Sequence, residues 1–125
     1  MLAGCCQPPQ LGENTRAALL SKAVFALEHA IKACHGKAAT AWSVAGMGDI
    51  ILSGSSNASR NFQYGYNLAM QNQHPSITTE SINNINKIAQ YLQKHNYQCS
   101  LIKLANNVIS TPSLAKQFIQ AWLID

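Results

Sequence analysis

The stretch "RAALLSKAVFALEHAIKAC", residues 16–34, carries Leu20, Ala23, Val24, Leu27, Ala30, Ile31 and Cys34 at steps of three and four. That spacing places one apolar stripe along a helix. Asn14 or Thr15 is the expected N-cap, Gly36 the expected stop, and Glu28 with Lys32 an i,i+4 pair on the opposite side. About 20 residues at ~1.5 Å each make a rod of roughly 30 Å, the width of a small domain. It is the expected central helix.

Further helices follow on both sides of a polar middle. "RNFQYGYNLAMQN", residues 60–72, reads as a modest helix behind the cap-rich "SSNAS". A longer one runs from about Thr79 to His95, with Ile82, Ile85, Ile88, Ala89 and Leu92 on one face. Leu101, Leu104, Ala105, Val108 and Ile109 make the next. Thr111-Pro112-Ser113 is a stop and a fresh cap, and Leu114, Ala115, Phe118, Ile119 and Trp122 make the last. Ile50-Ile51-Leu52 fits a short strand or a buried helical turn equally, since three residues show no period. No alternating strand series and no repeat occurs. The expected fold is all-α, with residues 1–12, containing Pro8-Pro9, as an irregular lead-in and residues 13–125 as one helical domain.

Composition narrows function. With 125 residues and 47% hydrophobic content, the chain buries a core without staples. Charged residues are only 11% and the formal net charge is +4. No run of Lys or Arg forms a nucleic-acid stripe, so the charge suits a small anionic ligand rather than a polyanion. Apolar stretches are broken every few positions, and no membrane span is expected. Cys5, Cys6, Cys34 and Cys99 form no C-x-x-C pair. Adjacent cysteines seldom both face one metal, so the expectation is reduced, cytoplasmic thiols and no metal site.

The chemistry concentrates in "VAGMGDIILSGSSNASRN", residues 44–61. Ser59 as an N-cap would set the first backbone N–H groups of a helix toward an anion. Arg60 adds a planar fork of donors suited to phosphate oxygens. Asn61, Ser55, Ser56 and Ser59 can exchange hydrogen bonds with ligand hydroxyls. Asp49, after Gly46-x-Gly48, can accept from a hydroxyl or hold a cationic side chain.

The order of these parts resembles the substrate domain of bacterial NAD(P)-dependent glycerol-3-phosphate dehydrogenase. That family reads G-[DE]-N-T-[RK]-A-A-L, then a long helix, then a G-L-G-D turn, then S-R-N-R-x-[FY]-G. Gly12 to Leu19, Gly46-Met47-Gly48-Asp49-Ile50, and Ser59-Arg60-Asn61 with Gly65 stand in that order here. The resemblance covers residues 3–125, strongly to Gly65 and loosely after Gln71. It implies the helical substrate domain of the 6-phosphogluconate dehydrogenase C-terminal type, lacking a Rossmann domain.

By the same resemblance, Asp49 helps hold substrate and the catalytic lysine. Ser59, Arg60 and Asn61 bind glycerol phosphate. Arg60 and Glu80 approach the NAD or NADP cofactor. The family's lysine lies about four residues ahead of the position of Met1, in an L-K-N segment, and the glycine-rich dinucleotide turn matches nothing here. Phe62 stands where the family has a second Arg. The implied activity interconverts dihydroxyacetone phosphate and glycerol 3-phosphate, with a phosphorylated triol or ketone as partner. A truncated or split enzyme, inactive alone and binding no cofactor tightly, would need a separate nucleotide-binding chain. A non-catalytic helical domain that binds a phosphate ester or a partner protein is the alternative expectation.

Overall fold

The computed structural model describes residues 1–7, 11–71 and 79–125, with side chains of the last stretch from residue 82 onward. Among them are six α-helices and no strand: α1 Glu13–Ala33, α2 Asp49–Ser55, α3 Arg60–Ala69, α4 Thr79–Lys94, α5 Ser100–Ser110 and α6 Ala115–Ile124. The all-α expectation holds, and Ile50-Ile51-Leu52 is helical.

The ends of α1 differ from expectation, and both differences have a backbone cause. Gly12 is the N-cap, at φ 88° and ψ 176°, a region closed to residues with a Cβ. Asn14 and Thr15 lie inside the first turn, and the Thr15 hydroxyl donates back to the Leu11 carbonyl at 3.2 Å. At the other end His35, not Gly36, takes the left-handed position at φ 60°. His35 N–H donates to Lys32 O at 2.9 Å and Gly36 N–H to Ile31 O at 2.8 Å, the two bonds of a Schellman cap. Gly36 is needed for room, because a Cβ there would sit 2.7 Å from Ile31 Cγ2.

The long helix is buried on more than one side. Leu19, Ala23, Val24 and Ala26 are its buried residues, so neighbours cover a wider arc than the single stripe through Leu27 and Ile31. Lys22 extends from α1 to donate to the Trp122 carbonyl at 2.5 Å, with its ammonium 4.9 Å from the Trp122 ring centroid. The Trp122 indole N–H donates in turn to Ser100 Oγ at 3.1 Å. One side chain thus ties α1, α5 and α6. Glu28 pairs with Lys32 at 2.5 Å and accepts from the Trp42 indole at 2.8 Å. Lys32 first, then Trp42, hold the Glu28 carboxyl below its usual range.

Core residues of α3 to α6 match the helical spacing: Phe62, Leu68, Leu92, Leu104, Val108, Ala115, Ile119 and Trp122 are all buried. Two expected face residues are exposed. Ile88 is 48% exposed, and Leu114 is 41% exposed because Pro112–Leu114 forms a 3-10 turn ahead of α6 and no side chain caps that helix.

The first residues contribute to the core. Gly4–Cys6 is a 3-10 turn laid across α3, with Cys5 and Cys6 buried. Contact there is backbone on backbone. A Cβ on Gly4 would lie 2.0 Å from Phe62 O, and one on Gly65 would lie 1.8 Å from Met1 O. The Cys5 thiol donates to Gly65 O at 3.2 Å. Burial pushes the Cys5 thiol up to about 11 and the Cys6 thiol, with Cys5 beside it, up to about 12.

Two outcomes follow from this packing. Gly65→Ala is expected to cost about 3 kcal/mol, since backbone must move, whereas Gly48→Ala, whose nearest neighbour is a Val44 methyl at 3.5 Å, is near neutral. Urea midpoints of the two variants check this, and equal effects would refute the close-approach account. The thiols impose an alkaline limit. The folded state keeps protons that the unfolded chain releases above about pH 8.5. Stability is therefore full below that pH and falls as pH rises toward 11, by up to about 1.4 kcal/mol per unit and thiol. A Cys5→Ala, Cys6→Ala double variant is expected to flatten that slope in urea titrations.

Candidate functional site

The approach to the site is built by Val44–Gly48, one π-helical turn between the 3-10 turn Ala38–Trp42 and α2. Its two glycines do different things. A Cβ on Gly46 would come within 2.4 Å of Thr40 O, while Gly48 has ordinary room. Ser43 holds the turn, its Oγ accepting from Gly46 N–H at 3.3 Å and donating to Thr40 O at 2.7 Å. Asp49 then opens α2, exposed, where the helix dipole favours a carboxylate.

The serines after it are mostly engaged with backbone. Ser55 Oγ donates to Ile51 O at 2.5 Å, so its proton is used inside α2. Ser56 Oγ accepts from Ala58 N–H at 3.2 Å, and Ser59 Oγ accepts from Phe62 N–H at 3.3 Å as the N-cap of α3. Both acceptors retain a hydroxyl proton to give to a ligand. The turn between α2 and α3 is held from two sides: Gln63 Nε2 donates to Asn57 O at 2.8 Å, and Gln7 Nε2 to Asn57 Oδ1 at 3.5 Å.

Ser59, Arg60 and Asn61 thus come together on the first turn of α3, at its positive dipole end. The first intrahelical bond of α3 starts at Gln63, whose N–H donates to Ser59 O at 3.0 Å. Arg60 is exposed and forms no ion pair among the described residues. Phe62 points the other way, into the core at 1% exposure, with the Arg16 guanidinium 5.7 Å from its ring centroid. Asp49 is the first residue of α2, and the C-terminal end of that helix leads into the turn before Arg60. The Glu80 side chain lies outside the described residues.

Sequence reasoning missed two contributors, Tyr64 and the first residues of the chain. Asn61 and Tyr64 face a cavity of about 250 Å³ whose other walls include Met1 and isoleucines of α4 and α5. Burial, and secondarily Cys5, raise the Tyr64 pKa, so its hydroxyl stays protonated. The available signal was the pairing of Gly4 with Gly65, two glycines that let Met1–Cys6 lie against α3. Among the described residues no three His, Cys, Asp or Glu side chains gather around a possible metal position, and no helix is long and apolar enough to cross a membrane.

Comparison with known proteins places this geometry in a family. The family described as NAD-dependent glycerol-3-phosphate dehydrogenase C-terminus matches residues 1–120. The glycerol-3-phosphate dehydrogenase [NAD(P)+] of Acaryochloris marina is 35% identical over 89 residues, covering 66% of this chain and 29% of the relative. The enzyme of the same name from Gluconobacter oxydans is 45% identical over 58 residues, 46% of this chain and 18% of its own. That of Phytoplasma australiense is 30% identical over 104 residues, 78% of this chain and 32% of its own. The chain therefore spans at most about a third of the length of these relatives. No solved structure matches it. The chain belongs to the C-terminal domain family of NAD-dependent glycerol-3-phosphate dehydrogenase.

Proposed function

We propose that these residues form the substrate-binding part of an NAD(P)-dependent glycerol-3-phosphate dehydrogenase, which interconverts dihydroxyacetone phosphate and glycerol 3-phosphate. The observation that carries this reading is Ser59-Arg60-Asn61 on the opening turn of an α-helix. That turn carries the N–H groups of a helix start and an exposed guanidinium, the donors that suit a phosphate. In this role Arg60 holds the phosphate, while Asn61 and the Ser59 hydroxyl orient the carbinol end. Asp49, at the start of α2, helps hold the substrate and the lysine brought in beside it.

The described residues do not fit a dinucleotide by themselves. They hold no strand, hence no glycine-rich strand-to-helix turn to cradle a pyrophosphate. NAD or NADP supplies the hydride acceptor in such an enzyme, and its cradle belongs to the part of the relatives that this chain does not span. Two features support an association with that part. Val44, Ile51 and Leu52, around Asp49, are 90%, 48% and 68% exposed, an apolar surface suited to being covered. Met1 lines the same cavity as Asn61. A side chain about four residues ahead of Met1, in a chain or complex that has one, would start within ~14 Å of that cavity. The family's general acid/base lysine would arrive there, and an amine of lowered pKa can serve the C2 oxygen at neutral pH.

The expected outcomes are two. By calorimetry, the 125-residue chain binds glycerol 3-phosphate weakly, and Arg60→Ala lowers affinity tenfold or more, the size of a lost charge-assisted contact; unchanged affinity would remove the assignment. With NAD(P) and glycerol 3-phosphate, the same chain forms no reduced cofactor by absorbance, and measurable turnover would show that the cradle lies within these residues.

A further inference from the structure

The chain enters α3 through an irregular turn at residues 57–59, and Gln63 holds both ends of it. Its backbone N–H donates to Ser59 O at 3.0 Å, the ordinary helical bond. Its side-chain Nε2 reaches back past the cap to Asn57 O at 2.8 Å. That second bond closes residues 57–63 into a loop around Ser59, Arg60 and Asn61. The other links there are longer. Ser59 Oγ accepts from Phe62 N–H at 3.3 Å, and Gln7 reaches the Asn57 side chain at 3.5 Å, both beyond the usual N–H to O distance. The first turn of α3 also carries no acidic residue, so its positive end is not answered by a carboxylate of its own helix.

We propose that Gln63 is a positioning residue for the phosphate end of the site: it fixes the turn that places Ser59 and Arg60, without meeting the ligand itself. A turn held in its binding shape beforehand spares the ligand the cost of ordering it. Gln63 is exposed, whereas Phe62, Gly65 and Leu68 are the buried residues of α3. The packing of the helix therefore does not rest on the Gln63 amide, and its loss should alter the turn while sparing the fold. In the family pattern S-R-N-R-x-[FY]-G, Gln63 falls on the unspecified place. This inference rests on the phosphate reading of Ser59-Arg60-Asn61 and adds to it the residue that holds that turn.

Gln63→Met tests it, because the side chain keeps its length and loses its donor. By calorimetry on the 125-residue chain, glycerol 3-phosphate is expected to bind about threefold to tenfold more weakly, the range of one net hydrogen bond. Hydrogen exchange is expected to quicken at the Phe62 amide, which Ser59 caps, and to stay unchanged at Val108 in α5. Ser59→Ala and the double variant complete a cycle. Since Gln63 acts through the cap, the double variant should bind about as weakly as the weaker single one. Additive losses would overturn the proposal, by showing that Gln63 meets the ligand directly. Unchanged affinity in Gln63→Met would overturn it too, since the turn would then keep its shape unaided. Failure of the phosphate reading has its own signature, glycerol 3-phosphate binding that is absent or that Arg60→Ala leaves untouched, and it removes the positioning role with it.

Discussion

The contact on which the rest depends is the crossing of the first turn over α3, backbone against backbone, at Gly4 and Gly65. No side chain separates the two segments, so their distance is set by van der Waals radii rather than by adjustable rotamers. Two consequences follow for the site. Phe62 is pressed into the core on the inner side of α3, which leaves Arg60 and Asn61 outward on the same turn. Met1 is brought to the cavity that Asn61 lines. The family's glycine after S-R-N therefore has a packing reason here, separate from any ligand.

Around this crossing the helices are joined by a few polar links placed at the edge of an apolar core. Trp122 joins α1, α5 and α6 through its carbonyl, ring and indole N–H. Glu28 joins α1 to the Ala38–Trp42 turn that supports Gly46. The approach to Asp49 is thus anchored to the longest helix, while Ser59 to Asn61 are anchored to the first turn of the chain through Asn57 and Gln7. The two halves of the candidate site rest on different supports.

Much of the fold was legible because helical period and burial coincide in α5 and α6. Leu104, Val108, Ile119 and Trp122 each stand where a three-to-four step places them. What failed was local or long-range. Asn14 and Thr15 look like caps, yet Gly12 alone tolerates the backbone turn that enters α1. His35 occupies the left-handed position, and Gly36, read as the stop, gives room one step later. The burial of Cys5 and Cys6 left no periodic trace, since three residues have no period. The capping of α3 by Ser59 was legible from a cap-rich run ahead of a helix. The Ser55 hydroxyl, read as a ligand group, bonds its own helix.

The bond from Lys22 to the Trp122 carbonyl joins residues 100 positions apart. A chain emerging from the ribosome makes α1 well before α6, so the part of α1 that meets α6 stays uncovered until α6 has been translated. Closing this part of the core waits on contacts far apart in sequence rather than on the winding of any helix. A chain stalled before α6 would leave Lys22 and Ser100 without Trp122, and the apolar surface that α6 covers would be of the kind that chaperones and proteases recognise.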